Sequence, residues 1–470
     1  ADSTTTFKVN ANVQVNDSLR FRGGFNRANR APNLGELYLN LQQIFTSGGT
    51  YGDPCGLRST SPFGAGGATA DLFPGAAPSL LANGQTAAGA QSAYLICRAM
   101  MGTTGANYFY GGSAAQPASG GGGFAWVNQV GNANLNSEIA DTWTAGIVFA
   151  SPFEHDLLRN ITATVDWYQI GIKDAILPYS IDYARWRCFG AVQVTDAAGA
   201  AAQAASQACL NVPRSQSTGG ALNTLVSYDN QASVRTTGID FTLNWTAQLA
   251  DMGMESVPGS LGINVQGTVL DEYKTKQSPA NYDPVIDWKG SLGPNLQGFN
   301  AGAYDYRVFT SISYNLPTFG VSLRWRHLPS VAVAAQAQQD AIVKNNAAVK
   351  AGAPGAILSY TPITNLKAPS YNVLDLSAYW TVNDTLSIRA GIDNVLDKDP
   401  ARTAIATGYP YNPSLTPAQN ADAMAAVCGG APGCVNPTAY SLPNSGAGST
   451  SGGYYDVLGR RYFIGLKAKF

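Results

Sequence analysis

Apolar and polar residues alternate with a period of two in many short stretches of this chain. The final ten residues are the clearest case: Tyr462, Ile464, Leu466, Ala468 and Phe470 interleave with Arg461, Phe463, Gly465, Lys467 and Lys469. Such alternation marks a β-strand with one apolar and one mostly polar face. It recurs over 374–380 and 386–392, and again over 239–245. Further copies are Phe7 to Val15, Leu19 to Phe25, Thr142 to Phe149, Ile161 to Tyr168, Leu261 to Val269, Arg307 to Tyr314 and Val321 to Arg326. The pattern predicts about 11 strands in all.

The connections alternate in length. Short ones are Asn16-Asp17, Ser151 to Leu158, Ala247 to Pro258, Leu316 to Gly320 and Val382 to Asp384. Long ones cover roughly 27–136, 175–231, 271–305, 327–370 and 395–459. Strict alternation puts all tight turns at one end of the sheet and all long loops at the other. This is the layout of a transmembrane antiparallel β-barrel with short periplasmic turns and long extracellular loops. Within a bilayer every backbone polar group needs a partner, so strands can span only in a closed barrel. Its polar faces suit a wide lumen, and Trp143, Trp167, Trp245, Trp325 and Trp380 suit interfacial girdles near strand ends. A soluble sandwich or solenoid also alternates. Loops of roughly 35 to 110 residues confined to one end fit it poorly.

Composition narrows the classes. Charged residues are 13% of the 470, the formal net charge is -1, and 51 Gly with 25 Pro supply many turns. A near-neutral chain argues against binding nucleic acid through its phosphates. No run of 18 apolar residues is present, so no transmembrane helix is expected. The first residues read as no signal peptide, which fits a cytosolic chain or one whose front end has been removed. Only His155 and His327 are available for histidine chemistry. Neither a G-x-S-x-G elbow nor a two-His zinc signature occurs, so no catalytic or metal residue is nominated.

Several motifs resemble those of TonB-dependent outer-membrane receptors. Arg30-Ala31-Pro32-Asn33-Leu34-Gly35-Glu36-Leu37-Tyr38, entered from Gly24-Phe25-Asn26-Arg27, is similar to that family's "RAPN-x-x-ELY" stretch. Gly131-Asn132 with Leu135, Glu138 and Gly146 resembles its "GN-x-x-L-x-x-E". Asp166-Trp167-Tyr168 through Ile172-Lys173-Asp174-Ala175-Ile176, and then Gly238-Ile239-Asp240, look like two of its strands. Gly391-Ile392-Asp393-Asn394-Val395-Leu396-Asp397-Lys398 resembles its "NLFDK" strand end, followed by Asp456 to Phe463 and a terminal Phe470. The order of these motifs covers nearly the whole chain.

The resemblance implies active uptake of a scarce nutrient, such as a ferric siderophore, a cobalamin-like compound or an oligosaccharide. It implies residence in the outer membrane of a Gram-negative bacterium, with no cofactor and no enzyme activity. Family members carry an N-terminal plug and a barrel of about 22 strands. Residues 1–470 therefore read as the C-terminal part of such a barrel. The expected partners are the lipid bilayer, the N-terminal half of the same receptor (separate, cleaved or outside this sequence), the TonB complex through the plug, and a small-molecule ligand. Three other readings stay open: a passive pore, a barrel enzyme relying on His327 near the rim, and a soluble adhesin.

Candidate residues lie mostly in the long loops. Cysteines fall in pairs within single loops, Cys55 with Cys97, Cys188 with Cys209 and Cys428 with Cys434, and an even count in an oxidising compartment reads as disulfides. Free thiols, or a metal site using Cys188 and Cys209, are the alternatives, but the spacing is not that of a zinc ribbon. Tyr108, Tyr110, Trp126, Tyr183, Trp186, Tyr409 and Tyr411 are the ligand-stacking candidates, against the alternative that they pack the loops on themselves. Arg30, Pro32, Asn33, Glu36, Asn394, Asp397 and Phe470 read as architectural. Arg20, Arg22, Arg324, Arg326 and Arg389 are expected on a solvated lumen face. Helices are predicted over Asp196 to Cys209, Ala334 to Lys350, within Asn33 to Ile44, and from Thr416-Pro417 to Cys428.

Overall fold

A computed structural model describes residues 4–47, 51, 53–69, 81, 85–111, 124–296, 299–300, 302–353, 355, 357–358, 363–401, 404–407 and 453–469. Eleven wall strands follow one another in chain order: β1 (Phe7–Asn16), β2 (Leu19–Arg30), β3 (Glu138–Ala150), β4 (Ile161–Pro178), β5 (Thr224–Gln248), β6 (Ser260–Lys276), β7 (Tyr306–Asn315), β8 (Phe319–Leu328), β9 (Tyr371–Thr381), β10 (Leu386–Asp393) and β11 (Arg461–Ala468). Each pairs antiparallel with the next. All 11 predicted strands are present. The sheet is open: among the described residues β1 and β11 each have one neighbour.

Register makes the faces continuous. Phe21 pairs with Ile147, Ile147 with Val165 and Val165 with Phe241, and a second row on the same face runs from Trp245 through Ile263, Ile312, Leu323 and Leu376. Many residues of this face are solvent-exposed, including Ile147, Val165, Leu243, Ile312 and Leu323. An exposed apolar band of this extent is what lipid requires and water disfavours. The opposite face carries polar ladders. Asn264 donates to Asn244, Thr268 to Asp240 at 2.7 Å, and Arg22 pairs with Asp166 through Nε to Oδ1 at 2.7 Å. Arg326 likewise pairs with Asp375. These two arginines, expected to be merely solvated, are held by wall carboxylates. Arg389 lies over the Phe463 ring.

At the loop end the apolar face gives way to charge. Arg27 meets Asp141 at 2.7 Å, and Glu272 receives both Arg235 and Lys274. Just inside this line Phe7, Phe25 and Trp143 form an aromatic row with centroids 5.4 and 4.5 Å apart. Trp325 hydrogen-bonds Asn372, which also contacts His327 at 2.8 Å. Trp245 and Trp380 sit at the turn end. Trp167 departs from the expected girdle: it lies two pairs further in than Gln169, the partner of Trp143. Strands β4, β5 and β6 continue well beyond their predicted stretches. There both faces meet polar surroundings, so alternation no longer marks the strand.

Short helices ride on the loops: α1 (Leu34–Tyr38), α2 (Ala87–Gly111), α3 (Ile181–Phe189), α4 (Ala197–Ala204), α5 (Gln207–Leu210) and α6 (Ala334–Lys350). The helix predicted over Asp196 to Cys209 is two helices, split where Ser206 caps the second. The helix predicted from Thr416 lies outside the described residues. No helix among the described residues is long and apolar enough to cross a membrane. Two loop strands, Gln42–Ser47 and Phe124–Val130, pair antiparallel, and the second joins the wall through a parallel pairing with the loop-end part of β5.

Candidate functional site

The first family-like motif folds as a cap. Asn33 is the N-cap of α1: its side chain accepts from the Glu36 amide at 2.9 Å, and its own amide donates to Glu36 at 2.8 Å. This reciprocal capping box satisfies two donors that a helix start would otherwise expose. Arg30 spans Glu36 and Glu138, reaching Glu138 through Nε at 2.6 Å and Nη2 at 2.8 Å. Pro32 precedes the cap, in the segment between β2 and α1. The second motif docks on the first. The Gly131 amide donates to Leu39 O, the Asn132 amide to Glu36 O. A Cβ on Gly131 would lie 2.5 Å from the Leu39 nitrogen, so only glycine permits this approach.

Asn394 and Asp397 form a turn after β10. Both hold positive φ, 53° and 54°, in a region that Asn and Asp tolerate better than most residues. Asn394 is fully buried, donates its amide to Asp375 at 3.0 Å, and exchanges hydrogen bonds with Lys398. Asp397 accepts from the Arg460 amide at 2.9 Å. The turn thereby links the exit of β10 to the approach of β11. Phe470 lies outside the described residues.

Above the wall the loops share a buried core. It contains two disulfides, Cys55–Cys97 and Cys188–Cys209; the expected Cys428–Cys434 pair lies outside the described residues. The Arg214 side chain is 2% exposed and grips Asp53 through two hydrogen bonds of 2.9 and 2.8 Å. Burial alone would raise the Asp53 carboxyl; Arg214 and the Cys55 amide together outweigh it and hold the carboxyl below its usual range. Tyr110 is fully buried beside this pair and donates to Cys55 O at 3.0 Å. It is part of the loop core and offers a ligand no surface.

A cavity of about 520 Å³ opens within the loop assembly. Four of the long connections reach it. Tyr51 comes from the first, Tyr179 to Tyr183 from the second, Tyr282 and Asp283 from the third, and Gln338 and Leu358 from the fourth. Ser180 fixes the start of α3 by accepting from the Tyr183 amide at 3.1 Å. The Asn346 side chain holds the Leu358 backbone with two hydrogen bonds of 2.8 Å, donating to its carbonyl and accepting from its amide. Tyr51 and Tyr282 meet edge to face, 5.7 Å between centroids. Burial, then the charges of Asp182 and Asp283, push the phenols of both upward. Burial also raises Asp283. Among the described residues no cluster of three His, Cys, Asp or Glu is placed to hold a metal.

Of the aromatic candidates, Tyr183 lines this cavity and Trp186 stacks on it at 5.6 Å. Tyr108 and Trp126 are exposed but line none of it, Trp126 packing on Phe45. Tyr409 and Tyr411 lie outside the described residues. Tyr51, Tyr282 and Asp283 went unnominated because residues in separate loops form no cluster in sequence, and Tyr179, in the loop of the nominated Tyr183, was passed over at the end of a strand.

The sequence model described as "TonB dependent receptor-like, beta-barrel" matches residues 1–395. This chain belongs to the TonB-dependent receptor β-barrel family. Its members are outer-membrane proteins, and membership gives no support to a passive pore. No curated protein matches the chain. Solved structures similar to this family member include the ferric enterobactin receptor PfeA of Pseudomonas aeruginosa in complex with enterobactin, at 11% identity and a TM-score of 0.46, covering 98% of this chain and 40% of that one. The siderophore receptor PirA of Acinetobacter baumannii gives 13%, 0.39, and 84% against 37%. The FrpB iron transporter of Neisseria meningitidis gives 12%, 0.37, and 84% against 35%. The chain thus spans two fifths or less of the length of these receptors.

Proposed function

We propose that this chain is the C-terminal part of a receptor barrel that takes up a scarce nutrient across the outer membrane of a Gram-negative bacterium. Its long loops face outward and enclose the ligand, which is a ferric siderophore, a cobalamin-like compound or an oligosaccharide. The remaining strands and a plug complete the receptor, and the TonB complex drives release through that plug. The observation that carries this reading is the cavity of about 520 Å³, built by four loops at one end of a lipid-compatible wall. Pockets of roughly 300–1,000 Å³ suit small molecules. A passive pore needs an open path at that end rather than packed loops.

The test is accumulation of a labelled nutrient in cells carrying the complete receptor, with and without a functional TonB complex. Accumulation is expected only when the complex is present. Equal accumulation in its absence, together with free solute flux in a liposome-swelling assay, would establish a pore instead.

A further inference from the structure

The loop cavity is built to receive hydrogen-bond donors. Asp182, Asp283 and Gln231 line it, and among the described residues no Lys or Arg does. Two of its lining residues each carry a polar atom that is closed off from solvent and has no partner among the described residues: Gln231 Oε1 and Tyr282 Oη. Tyr282 is 8% exposed. A buried polar atom in that state is costly, and a ligand that completes its bonding offsets the cost. Tyr51, Tyr183 and Tyr282 add ring faces and edges around the same space.

We infer that this cavity takes an uncharged, hydroxyl-rich molecule of the saccharide class. The inference rests on the uptake reading above and narrows its cargo. Sugar hydroxyls donate to the carboxylates, and a small turn of the Gln231 and Tyr282 side chains on binding brings their unpartnered atoms to further hydroxyls, while sugar C–H faces lie on the tyrosine rings. An anionic metal chelate meets carboxylates where it needs cations. An amine cation is a weaker fit than a polyol. Arg185 already stands 3.9 Å from Asp182, and Asp283 is held near Lys276, with burial disfavouring its charge.

The experiment uses the complete, detergent-purified receptor on an array of neutral di- to pentasaccharides. Ferric enterobactin serves as the anionic probe and spermidine as the cationic one. At least one neutral saccharide is expected to bind, with no competition from ferric enterobactin. Tyr282→Phe, which removes only a hydroxyl, is expected to weaken it about tenfold, the size of one buried hydrogen bond. Asp283→Asn, which keeps an acceptor, is expected to weaken it less than Asp283→Ala. Binding of no neutral saccharide overturns the inference, as does saccharide binding that none of the three variants changes. So does binding of spermidine or ferric enterobactin that the same variants abolish. TonB-dependent accumulation separates the two levels. Accumulation of a ferric chelate with no saccharide binding leaves uptake standing and removes this inference. Saccharide binding without TonB-dependent accumulation does the reverse.

Discussion

At the scale of single residues, the loop cap depends on pairs that lie far apart in sequence. Asp53 and Arg214 are separated by 161 positions, and nothing in the pattern around either announces the other. Removing one partner leaves a buried charge uncompensated, which typically costs about 3–5 kcal/mol. Asp53→Ala is therefore expected to open the loop core by roughly that amount, read as faster hydrogen exchange in α2 with the wall amides unchanged. The pH dependence follows from direction. The folded carboxyl sits below its unfolded value of about 3.9, so its contribution is complete above that pH and is lost as acid passes through the folded value. In Asp53→Asn this acid-induced loosening should vanish; if it persists, another carboxylate is responsible. By contrast, Asn33, Glu36 and Gly131 stood out in the sequence through motifs that resemble the family's, and the structure gives the reason: a capping box and a packed glycine require particular residue types at fixed spacing. Asn33→Ala should cost about 1 kcal/mol. Gly131→Ala should cost more, because its Cβ meets the backbone of Leu37 and Leu39. Protease sensitivity within residues 31–41 would rank the two, and the opposite order would remove the docking argument.

Secondary elements divide by environment. The wall strands were legible wherever one face is apolar and exposed and the other polar, since only there does the sequence alternate. The outer parts of β4 to β6 were not, because Gln169, Gly171 and Lys173 face polar surroundings on the side that carries Val165 and Trp167. Helix α6 showed a helical stretch long enough to read. Helix α2 did not: it is buried on several sides, so it has no polar stripe, and Gly102 interrupts it at a φ of 64°. The two-faced wall makes a sharp prediction. Ile312 lies on the apolar face and Ser311, its neighbour, on the other. Ile312→Arg should destabilise membrane insertion by about 2–4 kcal/mol, whereas Ser311→Arg should be nearly neutral. The heat-modifiable band on a denaturing gel, titrated with urea after refolding into liposomes, measures both. Equal effects would mean that the assignment of faces is wrong. The disulfides act on loops rather than strands. Loop closures of 42 and 21 residues correspond to about 4 and about 3 kcal/mol in the chain-entropy account. Reduction should thus loosen the cap while the wall keeps its heat-modifiable band.

For the molecule as a whole, the decisive feature is the direction of the two edge strands. β1 runs from the loop end at Phe7 to the turn end at Asn16, and β11 runs the same way from Arg461 to Ala468. An antiparallel meander of eleven strands must start and finish in the same direction. Closing it on itself would require a parallel β1–β11 pair, whereas a further odd number of strands between them restores antiparallel pairing throughout. Either way the edges cannot stay bare in lipid, because each carries a row of unpaired amides and carbonyls. The additional strands proposed above meet both demands, and bacterial single-chain barrels have even strand counts. Cysteines placed at Val13 and Ile464, on the apolar faces of the two edges, distinguish these outcomes in the complete receptor. No oxidative cross-link between them is expected, while cysteines in the preceding half should trap Val13→Cys and Ile464→Cys separately. A direct Val13–Ile464 cross-link in membrane-inserted protein would mean that eleven strands close on themselves. The loop cavity would then sit over a much narrower barrel, with too little room for a plug.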